Sequence, residues 1–384
     1  MTEDTPPNMA LLPSGLRDLL PPEAEVEAAT VAALMETFAV HGYQRVKPPL
    51  IEFEDGLLTG SGAAMTDQTF RVMDPDTHRM MGLRADMTPQ VARIAATRLA
   101  GSPRPLRLSY AGQCLRVRGS QIEPDRQVAQ AGVELLGVDA PAADAEIVLV
   151  GAEALAGVGM HRVSFDLTLP QLAPTLLDEA GITGAVRLAL TRALDRKDAA
   201  AVAEHGGPLA RLLTDLLLVA GPARPALAML EAARLPPLSA ALCARMHQTV
   251  QAILDQAPGL RLTLDPIEFR GFRYHTGVCV TVFAPGRHEE LGRGGRYLSG
   301  DSEPATGLTL YPDAMLRALP PAPIRPRAFL PWRTPHSQSV ALRQDGYATI
   351  PALRDDADPV GEAARLRCTH ILQDGAAVPL ITES

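Results

Sequence analysis

Polar residues with the chemistry to hold a small zwitterion stand at spaced positions in otherwise apolar segments. Gln130 and Glu134 share one face of a predicted strand, because strand side chains alternate with a period of two. Asp86 and Thr88 stand at the predicted start of a helix, and Arg116 stands near the end of a strand. Carboxylates suit an ammonium group, and a guanidinium suits a carboxylate or a phosphate. The set favours a pocket for a free amino acid, while each residue alone could equally be a helix cap or a strand-end charge.

Glycines accompany these polar side chains. Gly132 lies between Gln130 and Glu134 on the same face, so we expect it to leave an open floor for a small ligand. Gly294 and Gly295 would bring bare backbone close to a neighbouring group, although ordinary turn glycines are the alternative.

Several common catalytic and cofactor-binding patterns are missing from the sequence. It contains neither a GxGxxG after a strand nor GxxxxGK[ST], GxSxG or HExxH. Its four cysteines are far apart, without a CxxC pair, and Cys368 near His370 is a weak metal signal. We therefore expect no disulfide framework, no metal and no cofactor.

The elements that must position the candidate residues are visible as patterns. Two extended runs, 106–118 and 127–136, predict an antiparallel hairpin whose tip, 119–125, is long enough to be functional. Thr88 as N-cap and Pro89 at the first helical position start a helix. Hairpins and meandering strands beside helices, without regular strand–helix alternation, predict an α+β fold.

The pattern divides the chain into a core and an appendage. Residues 1–320 form the predicted core, interrupted at about 170–255 by an Ala- and Leu-rich helical insertion. A proline-rich linker follows, and 325–384 form a small appendage with scattered strand signals.

Composition limits the class of protein. The chain has 384 residues, 46% of them hydrophobic, and a net charge of −8. Its longest apolar stretch, 147–160, is interrupted by Glu153 and is too short to span a bilayer. No secretory signal opens the sequence, so we expect a cytoplasmic protein without a membrane segment. The acidic balance disfavours non-specific nucleic-acid binding.

Over nearly its first 320 residues the chain resembles the histidyl-tRNA synthetase core, a class II synthetase fold. The matching segments are motif 1 at 38–43 and 46–52, the amino-acid-binding segment at 83–89, motif 2 at 110–118 and 126–134, and two signatures of the histidine enzyme at 270–275 and 294–297. The resemblance implies an antiparallel sheet flanked by helices. It also implies a histidine-like pocket formed by Asp86, Thr88, Arg116, Gln130, Glu134, Arg270, Tyr274 and Tyr297, and a homodimer interface at Phe38, Tyr43 and Val46.

Departures from the synthetase pattern fall on the nucleotide site. Arg118 stands where motif 2 has a glutamate, and Ala314 stands where motif 3 has an arginine, next to Asp313. Arg317 lies one helical turn further on, about 4.5 Å along the axis. His275 replaces an expected tyrosine. These changes disfavour ATP-dependent activation of an amino acid.

The resemblance instead favours the regulatory subunits of ATP phosphoribosyltransferase, which are synthetase-like chains without aminoacylation activity. It implies a short-form catalytic phosphoribosyltransferase subunit as partner, in the first step of histidine biosynthesis, and L-histidine as effector. It further implies a homodimer within a hetero-oligomer, by family resemblance a hetero-octamer, with no catalytic residue of its own and no tRNA. The synthetase's anticodon-binding domain has about 100 residues, more than the appendage offers, and the appendage shows no strand–helix alternation. Two alternatives stay open: a divergent histidine-activating ligase, and a histidine-binding module for another partner.

Overall fold

The structure is a computed structural model that describes residues 11–119, 124–268, 274–300, 302–320 and 325–380. The chain forms two compact units, Met1–Leu319 and Pro320–Ser384.

The strands of the described residues belong to three sheets. They are, in chain order, β1 (Gln44–Arg45), β2 (Ile51–Phe53), β3 (Arg71–Met73), β4 (Met80–Leu83), β5 (Leu106–Leu115), β6 (Gln127–Leu136), β7 (Ser164–Thr168), β8 (Gly221–Pro222), β9 (Arg261–Asp265), β10 (His275–Phe283), β11 (Glu290–Ser299), β12 (Glu303–Leu310), β13 (Arg327–Leu330), β14 (Ala348–Pro351), β15 (His370–Gln373) and β16 (Ala376–Pro379).

The helices vary from one turn to twenty residues. They are α1 (Glu23–Val40), α2 (Glu54–Leu57), α3 (Thr88–Thr97), α4 (Pro141–Gly157), α5 (Leu172–Glu179), α6 (Gly184–Asp195), α7 (Ala199–His205), α8 (Ala210–Leu217), α9 (Ala223–Ala232), α10 (Pro237–Gln256), α11 (Pro312–Ala318), α12 (His336–Gln344) and α13 (Pro359–Arg365), with 3₁₀ segments at Gly60–Gln68 and Gly207–Leu209. Among the helices of the described ranges, none combines the length and the apolar character that crossing a membrane requires.

A nine-stranded, mostly antiparallel sheet organises the larger unit, in the order β1-β5-β6-β12-β11-β10-β7-β9-β8. The predicted hairpin is confirmed, since β5 pairs with β6 from Leu106 opposite Leu136 to Leu115 opposite Gln127. The strands alternate between the two faces of the sheet. Ala131, Val133 and Leu135 of β6 join the hydrophobic cluster that contains α1, α4 and α10, so Gln130 and Glu134 project to the opposite face, beside α3.

Six helices, α5 to α10, occupy the predicted insertion, which also contributes the two-residue strand β8 at the edge of the main sheet. Leu176, Leu194, Leu213 and Ile253 from this region lie in the same hydrophobic cluster as the core of the main sheet. The insertion is therefore packed into the larger unit.

The smaller unit corrects one expectation. Its sheet has the order β14-β13-β15-β16, with β13 parallel to both β14 and β15, and α12 and α13 connect the three parallel strands. Strands and helices do alternate here, as parallel pairing requires a crossover connection. The sequence does not reveal this alternation, because these strands are only four residues long and show no clear period.

Candidate functional site

The start of α3 forms one wall of the candidate site. The N-cap residue is Met87, so the prediction that Thr88 is the cap is wrong, and Thr88 is the first helical residue. Its N–H donates to Asp86 Oδ1 at 2.9 Å, while the Met87 N–H donates to Gln130 Oε1 at 3.0 Å. Because Asp86 accepts the Thr88 N–H and Gln130 accepts the Met87 N–H, the Thr88 hydroxyl does not cap the helix. It points toward the sheet instead.

Glu134 lies at the centre of the site, buried and surrounded by hydroxyl groups. Its Oε2 accepts a hydrogen bond from Tyr297 Oη at 2.8 Å, and its Oε1 accepts from Thr88 Oγ1 at 3.1 Å and Tyr110 Oη at 3.2 Å. Burial raises the pKa of Glu134 to about 8, although the hydrogen bonds from Tyr297 and Thr88 oppose the shift. The carboxyl group is therefore mostly protonated at neutral pH until a cationic group approaches it.

Acidic, basic and aromatic side chains line the pocket around Glu134. The lining comprises Asp86, Thr88, Glu134, Tyr274, His275, Arg293, Gly294, Gly295, Tyr297, Gly307, Thr309 and Tyr311. Burial, reinforced by the nearby Arg293 charge, lowers the pKa of His275 to about 3, so this imidazole is neutral. The carboxyl groups of Asp86 and Glu134 and the guanidinium of Arg293 remain as the ionisable lining, which suits a ligand with an ammonium and a carboxylate.

The pocket is narrow and aromatic at one end. Tyr274 packs edge-to-face on Tyr297 with ring centroids 5.8 Å apart, and it stacks on His275 at 4.3 Å. These rings make an aromatic surrounding that suits a planar side chain. The free space is about 30 Å³, about the share of one water molecule in the liquid, so an amino acid has to widen the pocket to enter it.

The structure brings five of the eight predicted pocket residues together: Asp86, Thr88, Glu134, Tyr274 and Tyr297. Gln130 lies buried beside them, where its Oε1 accepts from the Met87 N–H and the Cys114 thiol. Its Nε2 has no hydrogen-bond partner among the described residues. Arg270 lies outside those residues.

Arg116 is the predicted pocket residue that the structure places elsewhere. It lines a neighbouring cavity of about 250 Å³, which Tyr311 separates from the Glu134 pocket by lining both. Gln130 and Glu134 lie within β6, whereas Arg116 follows the end of β5, which accounts for its place in the neighbouring cavity.

Ala314 and Arg317, which the resemblance associates with the nucleotide site, line the neighbouring cavity. It is lined by Arg116, Pro124, Asp125, Val128, Glu289, Tyr311, Asp313, Ala314 and Arg317. Arg317 Nε donates to Glu289 at 2.9 Å, and Arg317 Nη1 lies 3.4 Å from Asp125. Asp313 accepts the Ala129 N–H at 2.6 Å, and burial raises its pKa. Three carboxyl groups against two guanidinium groups make this a poor cavity for a triphosphate.

Gly132 has a different role from the one predicted. A Cβ atom there would lie 2.5 Å from the Tyr110 hydroxyl and 2.8 Å from the Leu308 carbonyl oxygen. The space above Gly132 is thus filled by Tyr110, and the expected open floor is wrong. Tyr110, Arg293 and Thr309 are site residues that sequence reasoning missed. The available signal was a tyrosine directly opposite a glycine in the predicted hairpin.

The three predicted dimer-interface residues differ in how deeply the structure buries them. Phe38 is completely buried and Tyr43 is only 3% exposed, and the Tyr43 hydroxyl donates to Glu146 at 2.9 Å. Val46 packs against the cluster that contains Tyr110. Phe38 and Tyr43 are thus enclosed by the protomer's own core, whereas Val46 is only partly buried, and the interface stays a prediction.

Among the described residues, no group of three or more His, Cys, Asp or Glu side chains is arranged to hold a metal ion. The four cysteines are buried free thiols.

Comparison with known proteins gives a consistent result. The family model described as histidyl-tRNA synthetase matches residues 15–315. An ATP phosphoribosyltransferase regulatory subunit from Gluconobacter oxydans is 54% identical over 374 residues, covering 97% of this chain and 98% of the relative. One from Paramagnetospirillum magneticum is 55% identical over 373 residues, with the same two coverages.

A solved structure from Bacillus halodurans, described as an ATP phosphoribosyltransferase regulatory subunit/histidyl-tRNA synthetase, superposes with a TM-score of 0.78. The two sequences are 23% identical, and the superposition covers 94% of this chain and 97% of the Bacillus halodurans chain. This similarity establishes the fold. The chain thus has the class II histidyl-tRNA synthetase-like fold that the sequence predicts, and it belongs to the family of ATP phosphoribosyltransferase regulatory subunits.

Proposed function

We propose that this chain is a non-catalytic subunit that activates a short-form catalytic ATP phosphoribosyltransferase in the cytoplasm and makes it sensitive to histidine. The observation that carries the proposal is the contrast between two neighbouring sites. The Glu134 pocket keeps charged and aromatic groups suited to an amino acid, while the adjacent cavity has lost the arginine of motif 3 to Ala314.

L-Histidine fits the chemistry of the Glu134 pocket. Its ammonium group suits Asp86 and Glu134, its carboxylate suits Arg293, and its ring suits the faces of Tyr274 and Tyr297. Entry has to displace some of these side chains, because the pocket has little free space. Binding therefore favours a wider conformation of the chain, and this preference is the physical basis on which histidine would regulate a partner.

The described contacts also support the absence of aminoacylation activity. The nearest substitute for the missing arginine is Arg317, which is paired with Glu289 and Asp125. Freeing it would break both ion pairs, and Asp313 would still repel a phosphate. The smaller unit carries as many acidic as basic side chains, which gives it no electrostatic preference for tRNA.

The proposed assembly is a homodimer of this chain within a hetero-oligomer, a hetero-octamer in the form that the family resemblance implies. The test is reconstitution with a short-form phosphoribosyltransferase. Adding this chain should raise the activity of the catalytic subunit and make it sensitive to histidine. Glu134→Gln should keep the activation and lose most of the histidine sensitivity. Absence of both co-elution and stimulation would refute the proposal.

A divergent histidine-activating ligase is the second candidate, favoured by the presence of Arg116 in the nucleotide cavity. Histidine-dependent exchange of pyrophosphate into ATP separates the two. We expect no exchange above a protein-free control, and measurable exchange would favour the ligase.

A further inference from the structure

The smaller unit has a crevice at a place where α/β folds bind ligands. From β13 the chain passes through α12 to β14 on one side, then returns through α13 to β15 on the other side of β13. Leu342 of α12 packs with Ala328 and Leu330, whereas Ala363 of α13 packs with Phe329, so the two helices cover opposite faces. The strand order therefore reverses at β13, and such reversals open a crevice beyond the carboxyl ends of the parallel strands.

The register shows which residues meet there. Ala328 lies opposite His370 and Phe329 opposite Ile371, so the turn after β13, which contains Trp332, and the turn after β15, which contains Asp374, lie at the same end of the sheet. A crevice of about 390 Å³ is present at this point, lined by Pro331, Trp332, Arg333, Thr334, Pro335, Gln338, Leu372, Asp374 and Gly375. Its volume falls in the range of small-molecule sites.

Two features of the lining bear on ligand binding. Trp332, the one tryptophan of the chain, is 42% exposed. Arg333 has a left-handed φ of 63° in a turn closed by the Thr334 N–H donating to the Pro331 carbonyl at 3.1 Å. Glycine would adopt that conformation without strain, whereas an arginine there costs conformational energy. In return, it places a guanidinium group at the crevice. Within the described residues the Arg333 guanidinium forms no ion pair.

We propose that this crevice binds an aromatic amino acid. The Trp332 indole stacks on the planar side chain, the Arg333 guanidinium pairs with the α-carboxylate, and the Asp374 carboxylate pairs with the α-ammonium group. Asp374 makes a phosphate-bearing ligand a poorer fit, because two anions would meet. The site belongs to the smaller unit and does not depend on the function proposed for the Glu134 pocket.

The single tryptophan provides the test in the full-length protein. Titration with L-histidine or L-phenylalanine should change the Trp332 fluorescence saturably. L-Leucine, which has no ring, and histamine, which has no carboxylate, should need about tenfold or higher concentrations. An equal response to L-leucine, or a tighter response to AMP, would overturn the assignment of the ligand class.

Two variants keep the test independent of folding. Arg333→Gly removes the guanidinium and relaxes the turn, so it should weaken binding about tenfold without lowering the unfolding temperature. Asp374→Asn keeps a residue that tolerates the left-handed turn conformation (φ 50°) and should weaken binding similarly. Glu134→Gln should leave the fluorescence response unchanged, which separates this site from the Glu134 pocket. Unchanged affinity in both crevice variants would refute the proposal.

Discussion

At Glu134, burial and hydrogen bonding act in opposite directions on one carboxyl group. Desolvation is the larger effect and raises its pKa to about 8, even though hydroxyl groups of Tyr297, Thr88 and Tyr110 donate to it. A site of this kind responds strongly to an incoming ammonium group, because the ligand compensates the charge that burial disfavours. The residue therefore links ligand binding to pH.

This shift predicts a pH dependence of stability. The folded pKa of about 8 exceeds the ordinary value of 4.5, so the folded state holds the proton more tightly. The resulting stabilisation is complete below about pH 4.5 and is lost as the pH rises toward 8. Over that interval the free energy of unfolding of the wild type should fall relative to Glu134→Gln by up to about 1.4 kcal/mol per pH unit. Urea unfolding at several pH values measures it, and parallel curves for the two proteins would contradict it.

At the scale of elements, close approach of β12 to β6 shapes the pocket. Gly307 of β12 stands opposite Glu134, and a Cβ atom added there would collide with the Glu134 carboxylate. Gly307→Ala should therefore displace that side chain. In the reconstituted complex we expect at least a tenfold loss of histidine sensitivity with activation retained. Gly101→Ala is the matched control, because nothing lies near its Cβ position. An unaltered histidine response in Gly307→Ala would show that this approach does not position the carboxylate.

A buried ion pair joins α4 to β11. Arg296 Nε donates to Asp144 Oδ1 at 3.0 Å, and both side chains are almost fully enclosed. Asp139 contacts the same guanidinium at 3.4 Å but is exposed. Removing Asp144 leaves the enclosed Arg296 guanidinium with only the exposed Asp139 as a charged partner, whereas water can replace Asp139 itself.

Asp144→Ala should accordingly lower the free energy of unfolding by about 3–5 kcal/mol, and Asp139→Ala by at most about 1 kcal/mol. The comparison of urea midpoints for the two variants provides the measurement. Equal losses of unfolding free energy in the two variants would mean that burial does not make the Asp144 contact more important than the Asp139 contact.

At the scale of the whole molecule, the dimer remains a prediction. We expect its contacts to involve exposed side chains of the motif 1 region. Leu50, in the motif 1 segment, is 49% exposed, and Val40 at the end of α1 is also exposed. The resemblance implies association through this element, so we expect Leu50→Arg to shift the protein toward monomer in sedimentation at micromolar concentration. Leu188→Arg in α6 is the control, with 53% exposure outside motif 1. A wild-type monomer, or dimers in both variants, would contradict the placement of the interface.

The elements of the larger unit were predictable because their signals are local. The β5–β6 hairpin, the helix that begins near Thr88 and the helical insertion follow from runs of residue type and from proline positions. The order of motifs along the chain also indicated the family, and the relatives confirm it. Such elements can be predicted from a sequence because they depend on residues that are close together along the chain.

Which side chains meet was decided by the tertiary structure. Thr88, Tyr110 and Tyr297 converge on Glu134 from separate elements, and strand register brings them together. Arg116 and Phe38 show the converse, since one lies in the neighbouring cavity and the other in the protomer core. The sequence by itself determined the α+β elements and the family, because these depend on local patterns. Only the packing of distant strands and helices determined the contents of each pocket, the buried charges and the crevice at Trp332.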